Sequence, residues 1–292
     1  MAIADYKVPL SIDEAVQLLA SSDGPSKVLA GGTDLIIQSK AQSHVPLQVV
    51  DIKKIDGMVS AELTAQGLIL GPAMNCADFT ARQDINAVYP GLVEAAYLIG
   101  SSQVQGRCSI GGNLCNASPA ADTIPVLIAN GASCVIQGPA GQRTVAAEDF
   151  VIGVGKNCML PGELLKAISI PAPAARTRDA YLRFIPRTEM DIAVAGAAVS
   201  LTLDDSGLCT AARVAIGAVA TTALLVPAAG AALIGSRIDD VALAAAAAAA
   251  SAASKPISDR RGTAEFRRHV VGVLVKRAAV IAAQRVTGEK GE

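Results

Sequence analysis

The sequence is poor in the residues that usually build metal sites and acid–base sites. It has no tryptophan, only two histidines and few aromatic residues. Neither His44 nor His269 lies near a second candidate ligand, so both are expected to be structural or surface residues. The cysteines form no CxxC pair, and their spacing resembles neither a zinc site nor an iron–sulfur site, so no metal site is predicted. They are expected to be small core residues in a reducing compartment: Cys76, Cys108, Cys115, Cys134, Cys158 and Cys209.

Excess charge and long apolar runs are also missing. Lys and Arg (25) nearly balance Asp and Glu (26), so no basic field attracts phosphate backbones or anionic lipid, and we expect no nucleic-acid partner. The longest apolar run, VALAAAAAAAS from Val241, is mostly alanine, which predicts a helix packed on protein and no membrane insertion. The opening MAIADYKVPL has no basic segment before an apolar run, so we expect a cytoplasmic protein without a secretory signal.

The first part of the chain predicts a small βαβ unit. Ser11 and Glu14 have the spacing of a capping box, in which each side chain bonds the other residue's amide. The predicted strands cover residues 6–10, 27–30 and 47–52, and the predicted helices end at residue 20 and cover residues 33–40. We expect the unit to be a domain of residues 1–57.

Two further α+β domains are predicted, residues 58–175 and 176–292, separated by the linker-like segment PAPAARTR. The first has strands at 67–71, 132–137 and 165–170 and helices at 90–99 and 123–129. The second has strands at 180–184, 192–203 and 208–219, followed by helices. The last helix, 263–285, is expected to bury a stripe of Phe266, Val270, Val273 and the stem of Arg277.

Two Gly-Gly pairs are candidate anion sites, Gly31-Gly32 in VLAGGTDL and Gly111-Gly112 in SIGGNL. Glycine lets successive amides face one point and lets a bulky anion approach the backbone. Thr33 and Asn113 follow the pairs and add polar side chains. A tight turn explains such a pair more often than a ligand does, and neither pair has the Rossmann or P-loop spacing.

The stretch SIGGNLCNASPAAD, residues 109–122, is interpreted as a long turn rich in neutral donors. Asp122 ends it just before an apolar helix. The carboxyl of Asp122 is expected to cap that helix, to accept from ligand hydroxyls, or both. Further along, Arg183 and Arg187 flank Pro186 before Asp191, which fits either a solvated Arg–Asp pair or a cation that faces a ligand.

Four segments in this order resemble the FAD-binding medium subunit of the molybdenum hydroxylases, the family of xanthine dehydrogenase and bacterial carbon monoxide dehydrogenase. They are VLAGGTDL, SIGGNLCNASPAAD, LPGELLKAISIP and YLRFIPRTEMDIAVAGAAV. The resemblance covers essentially the whole chain. It implies a fold of the vanillyl-alcohol-oxidase (PCMH) type, in which two α+β subdomains hold FAD and a C-terminal α+β domain with a short antiparallel sheet closes the site.

The resemblance also implies the residues that bind FAD. We expect two loops that bind the pyrophosphate. We also expect Asp122 to lie near the ribityl and ribose hydroxyls, and a cation to take the place of the family's lysine. The first loop is Val28, Leu29, Ala30, Gly31, Gly32, Thr33, Asp34 and Leu35. The second loop is Ser109, Ile110, Gly111, Gly112 and Asn113, with Ile99 and Leu165 along the flavin and Arg183 as the cation.

The function implied by the resemblance is electron relay, with no catalytic acid or base in this chain. A small subunit with 2Fe–2S clusters and a large subunit with a molybdenum–pterin cofactor are the implied partners, as a dimer of heterotrimers. FAD would pass electrons to NAD, a quinone, a carrier protein or oxygen. The alternatives are a stand-alone FAD oxidase of the same fold and a cofactor-free scaffold whose Gly-Gly pairs are merely turns.

Overall fold

The computed structural model describes residues 3–41, 46–187 and 190–288, and His44 lies outside them. Those residues form fourteen strands and twelve helices. The strands are β1 Ile3–Lys7, β2 Ser26–Leu29, β3 Leu47–Asp51, β4 Ala61–Thr64, β5 Gly67–Leu70, β6 Ser133–Gly138, β7 Gly141–Ala146, β8 Val151–Gly153, β9 Lys156–Asn157, β10 Leu164–Pro171, β11 Thr177–Phe184, β12 Ala195–Leu203, β13 Cys209–Gly217 and β14 Leu224–Leu225. The helices are α1 Ile12–Ala20, α2 Leu35–Ala41, α3 Cys76–Thr80, α4 Gln83–Val88, α5 Pro90–Tyr97, α6 Ser102–Gln105, α7 Ile110–Asn116, α8 Thr123–Ala129, α9 Ala147–Phe150, α10 Pro227–Leu233, α11 Asp240–Ala253 and α12 Ala264–Thr287.

The predicted βαβ unit is confirmed as a parallel three-stranded sheet with the order β1-β3-β2. Its first strand ends at Lys7 and not at residue 10, because Pro9 has no amide to donate to a ladder. Ser11 caps α1 by accepting from the amide of Glu14 over 3.2 Å. Glu14 accepts in return from the amide of Leu10, one residue earlier than a capping box requires.

The second sheet is antiparallel with the order β4-β5-β10-β6-β7. The three central strands are the three that the sequence predicts, and the two edge strands were not predicted. Helices α5 and α8 also lie where they were predicted. Every residue of α8 is buried, so this helix forms part of the largest hydrophobic core.

The interpretation of residues 109–122 as one long turn is wrong for residues 110–116, which form α7. Ser109 caps this helix, because its Oγ accepts from the amide of Gly112 over 3.0 Å. Burial of Ile110 and Leu114 holds the helix on the core despite its two glycines. The helix ends at Ala117, which has φ 51° in the left-handed region.

The third sheet is antiparallel with the order β11-β12-β13-β14, and α10, α11 and α12 pack beside it. The alanine run forms α11, as predicted, and packs closely on α12: a Cβ on Gly272 would lie 2.8 Å from Ser251 Oγ. The predicted stripe of α12 is wrong for Phe266 and Arg277, which are exposed, whereas Val270 packs partly buried against the core. The buried residues of α12 are Arg267, Val271, Gly272, Leu274, Val275, Ala278, Ala279 and Ala282.

Helix α5 lies directly against β11. The amide of Gly91 donates to Asp179 Oδ1 over 2.9 Å, and a Cβ on Gly91 would lie 2.9 Å from the Ala180 nitrogen. Arg285 of α12 donates to the Asp179 carbonyl over 2.7 Å and pairs with Glu94. The C-terminal helix α12 is thereby bonded to both β11 and α5.

The loop between β10 and β11 covers residues 172–176, within the segment predicted to be a linker. Domain boundaries after residues 57 and 175 stay a prediction. None of the helices in the described part of the chain has the length and apolar character needed to cross a membrane.

We predict that Gly91→Ala destabilises the protein by about 1–3 kcal/mol, because the new methyl group meets the β11 backbone. The matched control is Gly24→Ala, where an added Cβ meets no atom within 4 Å. Urea denaturation measures both free energies of unfolding. Equal stability of the two variants would show that α5 and β11 are not in such close contact.

Candidate functional site

The two glycine loops meet through Gly31. A Cβ on Gly31 would lie 1.9 Å from the Arg107 carbonyl oxygen and 3.0 Å from the Cys108 Cα. No side chain fits there, so the first loop, residues 28–35, packs on the backbone that leads into the second loop, residues 109–113. Gln38 of α2 adds a second link, since its Nε2 donates to Asn116 Oδ1 of α7 over 2.8 Å.

The first loop presents amides that the described protein does not use. Gly32 has φ +79°, a conformation that L side chains rarely adopt. Among the described residues, no acceptor takes the amide hydrogens of Gly32, Thr33 or Asp34. These residues are half-buried or exposed, so an anion could accept from their amides.

The two glycines of the second loop serve different purposes. A Cβ on Gly111 would lie 2.5 Å from the Cα of Pro72, so Gly111 is required by packing. A Cβ on Gly112 would meet only Ser109 Oγ, at 3.0 Å, and otherwise points into open space. Gly112 is therefore the position at which a missing side chain leaves room for a ligand.

Lys53 fixes the start of the first loop. Its Nζ donates to the Ala30 carbonyl over 3.0 Å and to Asp51 Oδ1 over 2.6 Å. Asp51 is only 7% exposed and also accepts from Tyr6. The sequence reasoning missed Lys53, and its place directly after a buried strand is the signal that could have found it.

Several predicted donors after Gly112 are used inside the protein. The amides of Ala117, Ala120 and Ala121 donate to Leu114 and Ser118, and Asn116 accepts from Gln38. The expectation that residues 109–122 supply neutral donors to a ligand is therefore wrong for the amides of these three alanines. The anion-binding potential lies earlier, at the two loops.

Asn113 joins the second loop to α8. Its Oδ1 accepts from Thr123 Oγ1 over 2.6 Å, and its amide donates to the Ser109 carbonyl. Asp122, the residue before Thr123, accepts from two residues of β11. Tyr181 donates to Asp122 Oδ1 over 2.9 Å, and Arg183 Nη1 donates to Oδ2 over 2.8 Å.

Asp122 precedes α8, but its side chain makes no capping hydrogen bond, so the capping interpretation is wrong. Burial raises the pKa of Asp122 to about 6, although the charge of Arg183 and the hydrogen bonds from Tyr181 and Arg183 oppose that rise. The pair of Asp122 and Arg183 is nearly sealed from water, since their side chains are 8% and 6% exposed.

The remaining candidates take no part in the hydrogen bonds of this pair. Ile99, just after α5, is half-buried against the largest core, and Leu165 of β10 is buried within it. Arg187 is exposed and pairs with Asp191 over 3.2 Å. Asp191 lies 3.6 Å from Arg261 as well, so the local Arg–Asp interpretation describes this region.

Within the described residues, no cluster of three or more His, Cys, Asp or Glu side chains could hold a metal ion. All six cysteines are free thiols. The site thus offers backbone amides for an anion, one buried ion pair and apolar walls. Such a set can bind and orient a large cofactor.

Comparison with known proteins gives two family matches along the chain. The family described as "FAD binding domain in molybdopterin dehydrogenase" matches residues 2–173, and "CO dehydrogenase flavoprotein C-terminal domain" matches residues 180–282. The carbon monoxide dehydrogenase medium chain of Afipia carboxidovorans is 35% identical over 94% of each chain. A xanthine dehydrogenase FAD-binding subunit of Escherichia coli is 29% identical over 94% of each chain.

Solved structures agree with these matches. A chain of the Cu,Mo-CO dehydrogenase superposes with a TM-score of 0.91 at 35% identity, over 96% of this chain and 98% of that one. A chain of quinoline 2-oxidoreductase from Pseudomonas putida superposes with a TM-score of 0.87 at 29% identity, over 97% of each. The expected PCMH-type fold is confirmed. The chain therefore belongs to the FAD-binding medium subunits of the molybdenum hydroxylases, a family of oxidoreductase subunits.

Proposed function

We propose that this chain relays electrons within a heterotrimeric molybdenum hydroxylase. It takes them from the 2Fe–2S clusters of a small subunit and delivers them to an external acceptor, which is NAD, a quinone, a carrier protein or oxygen. A large subunit with the molybdenum–pterin cofactor hydroxylates the substrate. We further propose that the complex is a dimer of heterotrimers in the cytoplasm.

The observation that carries this proposal is the contact between the loops at Gly31, with Gly112 open beside it. Two chain segments almost eighty residues apart thereby reach one region, the first with the unused amides of Gly32, Thr33 and Asp34 and the second with the open space beside Gly112. A dinucleotide's pyrophosphate needs several donors and close access to the backbone, and these loops meet both requirements. The residues present therefore fit FAD. When bound, FAD accepts electrons singly and passes them on in pairs.

We assign the chain's residues to FAD as follows. The first loop, 28–35, and the second loop, 109–113, hold the pyrophosphate through backbone amides. Asp122 faces the ribityl and ribose hydroxyls, since each carboxylate oxygen can accept a second hydrogen bond. Arg183 provides the positive charge near the flavin, and Ile99 and Leu165 form apolar walls.

We assign a separate part of the FAD site to each of the three predicted domains. Residues 1–57 and 58–175 are the two FAD-binding subdomains, each of which supplies one loop. Residues 176–292 close the site through β11, which carries Arg183. Support for partner subunits comes from the relatives, whose names describe medium chains or subunits of complexes, such as the 6-hydroxypseudooxynicotine dehydrogenase complex of Paenarthrobacter nicotinovorans.

We predict that the purified chain shows the visible absorption bands of FAD, either as isolated or after reconstitution.

A tagged chain, expressed with the genes for the small and large subunits, is expected to purify as an equimolar complex that contains molybdenum and 2Fe–2S clusters. An FAD-loaded chain that purifies alone and oxidises a substrate unaided would instead be a stand-alone oxidase. A chain that retains no FAD after reconstitution would be a cofactor-free scaffold.

We also predict that Gly112→Val abolishes FAD retention, because the new side chain fills the open space beside the second loop. The ratio of flavin absorbance to protein after gel filtration measures retention. Gly106→Val is the matched control, since Gly106 is exposed and an added Cβ there makes only ordinary contacts at 3.7 Å or more. Full flavin content in a folded Gly112→Val variant would place the pyrophosphate elsewhere.

A further inference from the structure

Tyr181, which the sequence reasoning did not single out, shares the Asp122 carboxylate with Arg183. Tyr181 and Arg183 are two residues apart on β11 and so lie on the same face of the strand. Each donates to a different oxygen of Asp122. Tyr181 is 2% exposed, so all three groups form one buried cluster, the Asp122 cluster.

The third sheet leaves room for the Tyr181 hydroxyl. Gly196 of β12 pairs with Arg183, and a Cβ on Gly196 would lie 2.8 Å from the Tyr181 hydroxyl oxygen. Glycine within a strand weakens the strand, because it adds no packing and loses more backbone entropy. The chain thus has a glycine where any larger residue would displace the hydroxyl from Asp122.

The Asp122 cluster is connected to the second loop. Thr123, the neighbour of Asp122, donates to Asn113, which ends the second loop. The backbone near Asp122 also bonds the third sheet, because the Ala218 amide donates to the Pro119 carbonyl over 2.8 Å. A change in the position of Asp122 would therefore reach the loop that we assign to the pyrophosphate.

Among the described residues, the charged or titratable groups that act on Asp122 are Arg183 and Tyr181. Burial favours the neutral acid, whereas these two groups favour the carboxylate. The pKa of Tyr181 itself is raised well above its ordinary value by burial and by Asp122, so Tyr181 stays a neutral donor. Its hydroxyl therefore acts only as a hydrogen-bond donor to the carboxylate.

We propose that Tyr181 is a positioning residue of the FAD site. Its hydroxyl holds the Asp122 carboxylate between Arg183 and the second loop, and so fixes the orientation of the buried ion pair beside the flavin. The inference rests on the proposed FAD site. Tyr181 acts through Asp122 and needs no contact with the cofactor.

Tyr181→Phe removes only the hydroxyl and keeps the ring. The test uses the full chain loaded with FAD and measures the flavin midpoint potential by redox titration between about pH 5 and pH 9. We expect an inflection in the wild-type profile from ionisation of Asp122. In Tyr181→Phe the inflection is expected to move up by about one pH unit, because the carboxylate loses a donor.

Tyr89→Phe is the matched control. Tyr89 is 1% exposed, and its hydroxyl donates to the Pro171 carbonyl over 2.9 Å, so the variant loses a buried hydroxyl without touching Asp122. Its inflection is expected to stay at the wild-type pH. A purely structural role for Tyr181 would leave the two variants alike.

Gly196→Ala provides an independent check if Tyr181→Phe does not fold. Its methyl group would lie 2.8 Å from the Tyr181 hydroxyl oxygen and is expected to displace that hydroxyl from Asp122, which moves the inflection up in the same way. An Asp122 inflection that is absent from the wild type, or that stays unmoved in both Tyr181→Phe and Gly196→Ala, would overturn the role of Tyr181. Those outcomes leave FAD bound, whereas a wild-type chain without FAD would refute the proposed function as well.

Discussion

The close packing of Gly31 on the Arg107 carbonyl is the contact on which the rest of the site depends. A methyl group there would lie 1.9 Å from that oxygen, so any other residue would push the first loop away from the second. The parallel sheet of β1–β3 and the core around α8 each fold around their own apolar residues. At Gly31 the backbone of the first unit lies against the backbone of the second, and this contact sets the spacing between the two loops.

The glycines of the two Gly-Gly pairs look alike in sequence, but each is required for a different structural reason. Gly31 and Gly111 are required by neighbouring backbone, Gly32 by its positive φ, and Gly112 alone borders open space. A Gly-Gly pair therefore gives no information about which member faces a ligand. The distinction depends on what lies beyond the missing side chain, and that is set by residues far along the chain, such as Pro72 and Arg107.

Sequence patterns predicted the apolar strands β5, β6 and β10 and the helix α8, in which every residue is buried. They missed α7, because its glycines and asparagines disfavour a helix, and the Ser109 cap together with the burial of Ile110 and Leu114 stabilises it. The face of α12 was also partly wrong, since its contact with α11 is made at a small residue, Gly272. Of the site, the loops were predicted, but the partners of Asp122 depend on tertiary contacts that no local pattern contains.

The scarcity of positive charge at the proposed site is consistent with this architecture. Backbone amides in two loops can hold a pyrophosphate without lysine, but their donors converge only when both loops are in place. In such a site, affinity for the anion depends on how accurately the amides are placed, so other residues of the protein must hold both loops in position. Lys53 holds the first loop through the Ala30 carbonyl, and Thr123 holds the second through Asn113. The cation beside Asp122, Arg183, is matched by that carboxylate and adds little net charge, so the third sheet contributes alignment more than attraction.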